Sequence, residues 1–228
     1  MKKLLFLLPV FLFGCTVYQK ISYQTNDLSV LQTVKTIPIM VEVRILADNR
    51  AQIGDNKVLF TAPQKTELEG KSVCINSEQH YKKDSVVSQI TRMMVDHFNK
   101  ARLFKLTFYN QSNYGNYYLT GTLNSFFGEQ EFSSGALVGA QFGLIGALAT
   151  AGIKTPGKVT IEIADLKLYK KDGILVKDLG NFYKEYKEDY KADGYCWCMY
   201  WNINEKLKDF NSHLAEKIRT DLADIKFE

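Results

Sequence analysis

Apolar and polar positions alternate from Ile37 to Ile45: Ile37, Ile39, Val41, Val43 and Ile45 share one face, and Pro38, Met40, Glu42 and Arg44 the other. A period of two predicts a strand buried on one side, and a proline near its start suits a strand beginning or a sheet edge. Residues 47–83 are mixed, with turn signals at Gly54-Asp55-Asn56 and Gly70 and short apolar runs at Val58-Leu59-Phe60 and Val73-Cys74-Ile75. The period then changes. Asp84 is placed to cap a helix whose Val86, Val87, Ile90, Met93, Met94, Phe98 and Ala101 fall on one stripe. Phe104, Leu106 and Phe108 resume the alternation, Asn110 to Asn116 form a turn, and Tyr117, Leu119, Gly121 and Leu123 follow, which reads as a hairpin.

The second half repeats this logic. Val159, Ile161 and Ile163 alternate, and the apolar phase then slips to Leu166 and Leu168, which predicts a bulge near Ala164 and Asp165. After a turn at Lys171-Asp172-Gly173, Phe182, Tyr186 and Tyr190 face one way and Tyr183, Glu185, Lys187 and Asp189 the other. Asn202 with Glu205 resembles a capping box, ahead of Leu207, Phe210, Leu214, Ile218, Leu222 and Ile225 at helical spacing. The order β–α–β–β–(insert)–β–β–α predicts a single α+β domain over residues 37–228. Its expected form is an antiparallel sheet of four to five strands with two helices packed on one face, plus a Gly-rich apolar helical insert.

The insert, residues 135–153, reads GALVGAQFGLIGALATAGI and carries no charge. Gly135, Gly139 and Gly143 recur every four residues, with Gly146 following, so in a helix they line one face and let another backbone approach. As one helix the segment is about 28 Å long, close to the ~30 Å of a hydrocarbon core. Interior glycines each cost about 0.5–1 kcal/mol against alanine, so such a helix needs a compensating contact. The expectation is self-association through Gly135, Gly139, Gly143 and Gly146, against a second copy or within a membrane. A mobile membrane-touching loop and a buried intramolecular hairpin are the other two readings.

At the amino terminus Lys2 and Lys3 precede ten uncharged residues, Leu4 to Phe13. Ten residues span ~15 Å as a helix, too short to cross a bilayer and right for a signal peptide, here residues 1–14. The run closes on Leu12-Phe13-Gly14-Cys15, which resembles the lipobox of bacterial lipoproteins. That resemblance implies a covalent lipid on Cys15 and no other cofactor, cleavage after Gly14, and acylation of the new amino terminus. Phe13 departs from the pattern, which has a small residue there. Several acyl chains exceed what stable anchoring requires. Thr16 follows the cysteine where an Asp would favour the inner membrane, so the expected location is the outer membrane, facing the periplasm or the cell surface. Residues 15–36 read as a polar, lipidated tether.

An exported chain keeps its cysteines in an oxidising compartment. Beyond Cys15 there are three, Cys74, Cys196 and Cys198, so at most one internal disulfide forms, expected between Cys74 and one of the other two. Bridging Cys196 to Cys198 directly would close a very small, strained ring. With His213 the three offer metal-ligand types without a compact spacing motif, so no metal is expected. Lys and Arg number 29 against 25 Asp and Glu, and two of the lysines lie in the signal, so no basic face for nucleic acid is expected.

His80, His97 and His213 are far apart in sequence, and HExxH, GxSxG, GxxxxGK[ST] and CxxC are all missing. His97 reads as a boundary residue of its helix and not as a catalytic base. The charges around Glu185, Glu188 and Asp189 alternate with Lys184, Lys187 and Lys191 as on a solvated strand. Tyr195, Trp197, Tyr200 and Trp201 form an aromatic cluster suited to a core plug, a partner patch or an interfacial anchor. No enzyme is expected.

Ala47-Asp48-Asn49-Arg50-Ala51-Gln52-Ile53-Gly54 resembles the D-x-R-x-x-x-I-G stretch of YajG-like lipoproteins, with two residues instead of three between Arg50 and Ile53, and the element order is similar over residues 37–225. Tyr117 to Leu123 also resembles lipoprotein subunits that accompany ABC-type lipid transporters. The Gly-rich insert is similar to that of TraT-like surface-exclusion lipoproteins, which form oligomers. These resemblances imply a non-enzymatic envelope role and supply no catalytic residue. The expected function is a scaffold or interaction module, self-associating or bound to an envelope partner. The alternative is a lipid- or ligand-binding accessory of an envelope transport system. An apolar cavity between sheet and helices favours the carrier, and a solid core with a projecting insert favours the scaffold.

Overall fold

A computed structural model describes residues 19–24, 35–50, 52–53, 58–59, 73–76, 81, 84–111, 114–142, 145–146, 152–192 and 196–227. The main strands are β1 (Ile37–Val43), β6 (Phe104–Tyr109), β7 (Tyr117–Glu131), β8 (Lys154–Lys170) and β9 (Leu175–Lys191). Short strands β2 (Ala47–Asp48), β3 (Gln52–Ile53), β4 (Val58–Leu59) and β5 (Val73–Ile75) lie between β1 and helix α1 (Val86–Lys100). Helices α2 (Ser134–Gln141) and α3 (Trp197–Asp221) complete the α+β chain. The main sheet has seven strands in the order β6-β1-β7-β8-β9, with β2 and β5 also paired to β7.

The sheet is mixed, not the antiparallel sheet of four to five strands expected. β1 runs parallel to both β6 and β7, so β6 and β7 do not form a hairpin: β1 lies between them. Alternation reports which face of a strand is buried but not which strand sits beside it. A parallel neighbour ordinarily needs a long crossover, which α1 provides between β1 and β6. From β6 to β7 a short link suffices because the registers are offset. Tyr109 is level with Val43, and Tyr117 starts level with Val41. The link crosses β1 at Gly115, where a Cβ would stand 2.7 Å from the Tyr117 carbonyl oxygen and 2.9 Å from the Glu42 nitrogen. Only glycine fits so close a backbone crossing.

β8 and β9 pair antiparallel along almost their whole length. Their register slips between Ile163 and Leu166, where Asp165 takes φ +51°, at the position of the expected bulge. Val159, Ile161, Ile163, Leu166 and Leu168 are all fully buried. α1 lies over β6 and α3 over β7, β8 and β9, and the helices touch each other. Phe98, Phe104, Phe126 and Phe210 fill the layer between them and the sheet. Phe182 of β9 meets Phe210 at 4.9 Å between ring centres.

Two helix starts differ from expectation. Ser85, not Asp84, caps α1, its hydroxyl accepting the Ser88 N–H at 3.2 Å, while Asp84 pairs with Arg92 at 2.7 Å. α3 begins at Trp197, so Asn202 and Glu205 lie inside it and make no capping box. The helix reaches further because Met199, Tyr200 and Ile203 find buried positions. A Cβ on Gly128 of β7 would come 2.6 Å from Met199 Cε, so glycine there lets α3 settle close on the sheet.

Candidate functional site

The chain just beyond Cys15 is bound to the body, not a free tether over its whole length. Residues 19–24 alternate, with Ile21 and Tyr23 buried and Lys20, Ser22 and Gln24 exposed. Gln19 bridges in parallel to Tyr81. The Ile21 N–H donates to Gln89 Oε1 of α1 at 3.0 Å, and Asn204 Nδ2 of α3 donates to the Lys20 carbonyl at 3.0 Å. Asn211 Nδ2, also on α3, donates to Tyr23 Oη at 2.7 Å. This strap therefore lies across both helices. Its signal, Ile21 and Tyr23 separated by one polar residue, was present in a segment too short to register as a strand.

Under the strap, His97 is buried, contrary to the boundary position expected. Tyr23 Oη lies 3.4 Å from its Nδ1, and Ser212 Oγ 3.4 Å from its Nε2. Burial, with smaller repulsion from Lys100 and Lys208 opposed by Asp96, lowers its pKa to about 4, so the imidazole is neutral at neutral pH. Burial raises the Tyr23 phenol above its ordinary value. The cluster is polar packing between α1, α3 and the strap.

At one end of the sheet several elements are locked together. Gln130 of β7 is buried and donates from Nε2 to Thr155 Oγ1 and to the carbonyls of Tyr190 and Lys191, at 2.8 to 3.0 Å. Asn202 Nδ2 donates to Gln130 Oε1 and to the Lys191 carbonyl, each at 3.2 Å. Cys74 of β5 is disulfide-bonded to Cys196, the residue capping α3, with Cα atoms 5.3 Å apart. Cys196 takes φ +62° and Cys198 lies in the first turn of α3, so this stretch is not extended. A metal set of Cys74, Cys196, Cys198 and His213 is thereby ruled out, and no other such cluster exists among the described residues. Tyr81 meets Tyr200 edge-on at 5.3 Å, and Trp197 lies 6.2 Å from Tyr200. Tyr195 lies outside the described residues.

The insert leaves this same end. Ser133 Oγ accepts the Ala136 N–H at 3.1 Å and starts α2, which spans only eight residues, so one continuous 19-residue helix does not form. The chain turns at Phe142 and is helical again at Ile145 and Gly146. Gly139 is buried, and a Cβ on Gly146 would collide with its carbonyl, so these two glycines meet inside one chain. Gly135 is exposed beside Ile153. Gly143, like Cys15 and residues 1–14, lies outside the described residues. Val138, Phe142 and Ile145 point to solvent.

Two further regions bear on function. Arg50, buried at the end of β2, donates from Nε and Nη2 to the two Asp48 carboxylate oxygens at 2.9 and 2.7 Å. Burial raises the Asp48 carboxyl, but the hydrogen bonds and charge of Arg50 outweigh this and hold it below its ordinary value. The D-x-R part of the motif is thus a clasp at a strand end. Glu185 is likewise no isolated surface charge: it accepts from Tyr183 Oη at 2.9 Å and pairs with Lys158 and Lys187.

At the opposite end a groove of about 530 Å³ runs between the start of β1 and the tail of α3. Ile37, Pro38, Leu222, Ile225 and Phe227 form its apolar walls, and Lys35, Lys226 and Arg219 stand along it. Arg219 Nε has no hydrogen-bond acceptor among the described residues.

Compared with protein-family models, the chain matches none. Compared with curated proteins, it matches none. Among solved structures it is similar to protein XCC0632 from Xanthomonas campestris, of the DUF330 family. The identity is 9% over 83% of this chain and 95% of that one, with a TM-score of 0.43. A second structure, of an uncharacterized protein, is 12% identical over 81% of this chain and 94% of its own, with a TM-score of 0.41. Likenesses at this level carry no argument about function.

Proposed function

We propose that this chain is a non-enzymatic envelope protein, held to the outer membrane by lipid on Cys15 and serving there as a scaffold or interaction module. The observation that carries the reading is the strap, whose first described residue, Gln19, is four residues beyond Cys15 and bridged to Tyr81. Four residues reach at most about 14 Å. A free tether would let the body drift from the bilayer, whereas a docked one sets its distance and restricts its orientation. Gly139 and Gly146 are used against each other in one chain, so the reading rests on the anchor and not on a glycine-lined pair of helices. Replacing Cys15 with Ser tests it: the acyl mass is lost, the signal stays uncleaved, and the protein leaves the outer-membrane fraction. Normal processing and fractionation of Cys15→Ser would end this reading.

A second reading, an accessory lipoprotein that binds a lipid or another amphiphile, draws on the far-end groove. Apolar walls with an incompletely bonded Arg219 suit an acyl chain with an anionic head. A dansylated fatty acid should then bind saturably, about tenfold more weakly to Arg219→Gln, a loss of ~1.4 kcal/mol. Absence of saturable binding removes the carrier.

A further inference from the structure

α2 departs from the end of β7, the insert returns at the start of β8, and the three most exposed large apolar side chains among the described residues, Ile145, Trp201 and Phe142, lie at that end, while Tyr114, Ile174 and Leu175 are exposed elsewhere. Val138, Phe142 and Ile145 are 53, 73 and 82% exposed, and Trp201 of α3 is 74% exposed. No element packs broadly on α2 among the described residues. Large apolar side chains grouped on a surface mark a contact with another body or with a membrane.

The strap shows which. Gln19 pairs with Tyr81, Tyr81 packs on Tyr200, and Gln19 and Trp201 line the same shallow recess. Traced back toward Cys15, the described part of the strap therefore ends beside Trp201, at the end that carries the insert. Full extension from Gln19 to Cys15 is ~14 Å, and α2 alone is ~12 Å long. A lipid on Cys15 thus holds this end of the molecule within the insert's reach of the bilayer.

We propose that Phe142 and Ile145 of the insert, with the first turns of α3, dip into the surface of the same bilayer that holds the Cys15 lipid, as a second, non-covalent membrane contact. This rests on the anchor proposed above. Phe142 and Ile145 enter the acyl boundary, and Trp197 and Trp201 sit at headgroup depth, where an indole finds both apolar and polar partners. Among the described residues no helix is long and apolar enough to cross a membrane, so the contact is shallow. Exposed Lys20, Lys154 and Lys191 stand at the same end, the last two level with each other across β8 and β9. Glu131, Glu188, Asp189 and Glu205 are there too, and Glu188 pairs with Lys206, so apolar burial and not charge drives the contact.

The chain has two tryptophans, Trp197 and Trp201, so intrinsic fluorescence reports on this end alone. The full acylated protein is placed in phosphatidylethanolamine–phosphatidylglycerol vesicles, with or without brominated phosphatidylcholine. Bromine should reduce emission measurably, as indoles seated in the membrane interface require. A tryptophan added on the insert by Ile145→Trp should be quenched more strongly. Unquenched emission from both proteins, with the acyl groups present by mass, overturns the proposal and leaves the anchor standing. Unquenched emission together with cross-linked dimers overturns it in favour of a second copy covering the insert. A mass without acyl groups overturns the anchor instead. Flotation of the unacylated chain on the same vesicles then decides the insert alone, binding supporting it and no binding overturning it.

Discussion

His97 owes its chemistry to what covers it. Between α1, α3 and the strap its imidazole loses water, and burial pushes its pKa from 6.5 to about 4. The sign follows from linkage: between those values the unfolded chain takes up a proton that the folded chain refuses, so stability falls as pH drops through that window. The loss is up to about 3 kcal/mol by pH 4. The Asp48 and Glu185 carboxyls are held below their ordinary values, so their losses come at lower pH. His97→Gln should therefore flatten the fall in Tm between pH 6.5 and 4.5. An unchanged slope in the variant would assign the acid sensitivity elsewhere. In the sequence His97 stands beside an apolar stripe and looks like a boundary position, because its cover comes from residues about 75 before it and 115 after it.

Periodicity located the long elements because each buries an apolar stripe or face against the same layer. The stripes of α1 and of the second half of α3, the alternation of β8 and β9, and the bulge at Asp165 were all legible for that reason. What periodicity lacks is neighbours: β1 between β6 and β7, the start of α3 at Trp197, and the docking of the strap are decided by distant partners. The strap makes a direct prediction. Ile21→Ala removes a buried side chain between two helices and should cost about 2–5 kcal/mol. Tyr23→Phe leaves Asn211 Nδ2 without its acceptor at a cost of about 1–3 kcal/mol. Denaturant unfolding of both variants measures this, and losses near zero would mean that the strap does not hold. The disulfide acts at the same end across 122 residues of sequence. Cys74→Ser with Cys196→Ser should lower stability by about 2–5 kcal/mol. An unchanged unfolding midpoint in that double variant would show that the bond contributes little.

At the scale of the whole molecule the fold has two unlike ends. The ends of β7 and β9, the start of β8, the first turn of α3, the insert and the strap meet at one. The turn Lys171–Gly173, Tyr117 and Phe227 lie at the other, where the ring of Tyr117 meets that of Phe227 at 5.6 Å. A glycine repeat of four marks a segment for close approach but does not say whether the close partner is another chain or the same one. In this fold Gly139 meets Gly146, and Val138, Phe142 and Ile145 are among the side chains turned outward. If the insert end faces the bilayer, β8 and β9 stand up from it. Seventeen residues at ~3.3 Å each carry the 171–173 turn roughly 50 Å away. A molecule lying flat would instead bring both ends to the lipid. The two are separated by moving the fluorescent reporter to the tip, with Asp172→Trp in a chain carrying Trp197→Phe and Trp201→Phe. Asp172 is exposed, and Phe at 197 keeps an aromatic ring beside Tyr200. In acylated protein on brominated vesicles the tip emission should stay at full intensity while aqueous iodide quenches it freely. Quenching by the brominated lipid would lay the hairpin on the membrane and reject the upright arrangement.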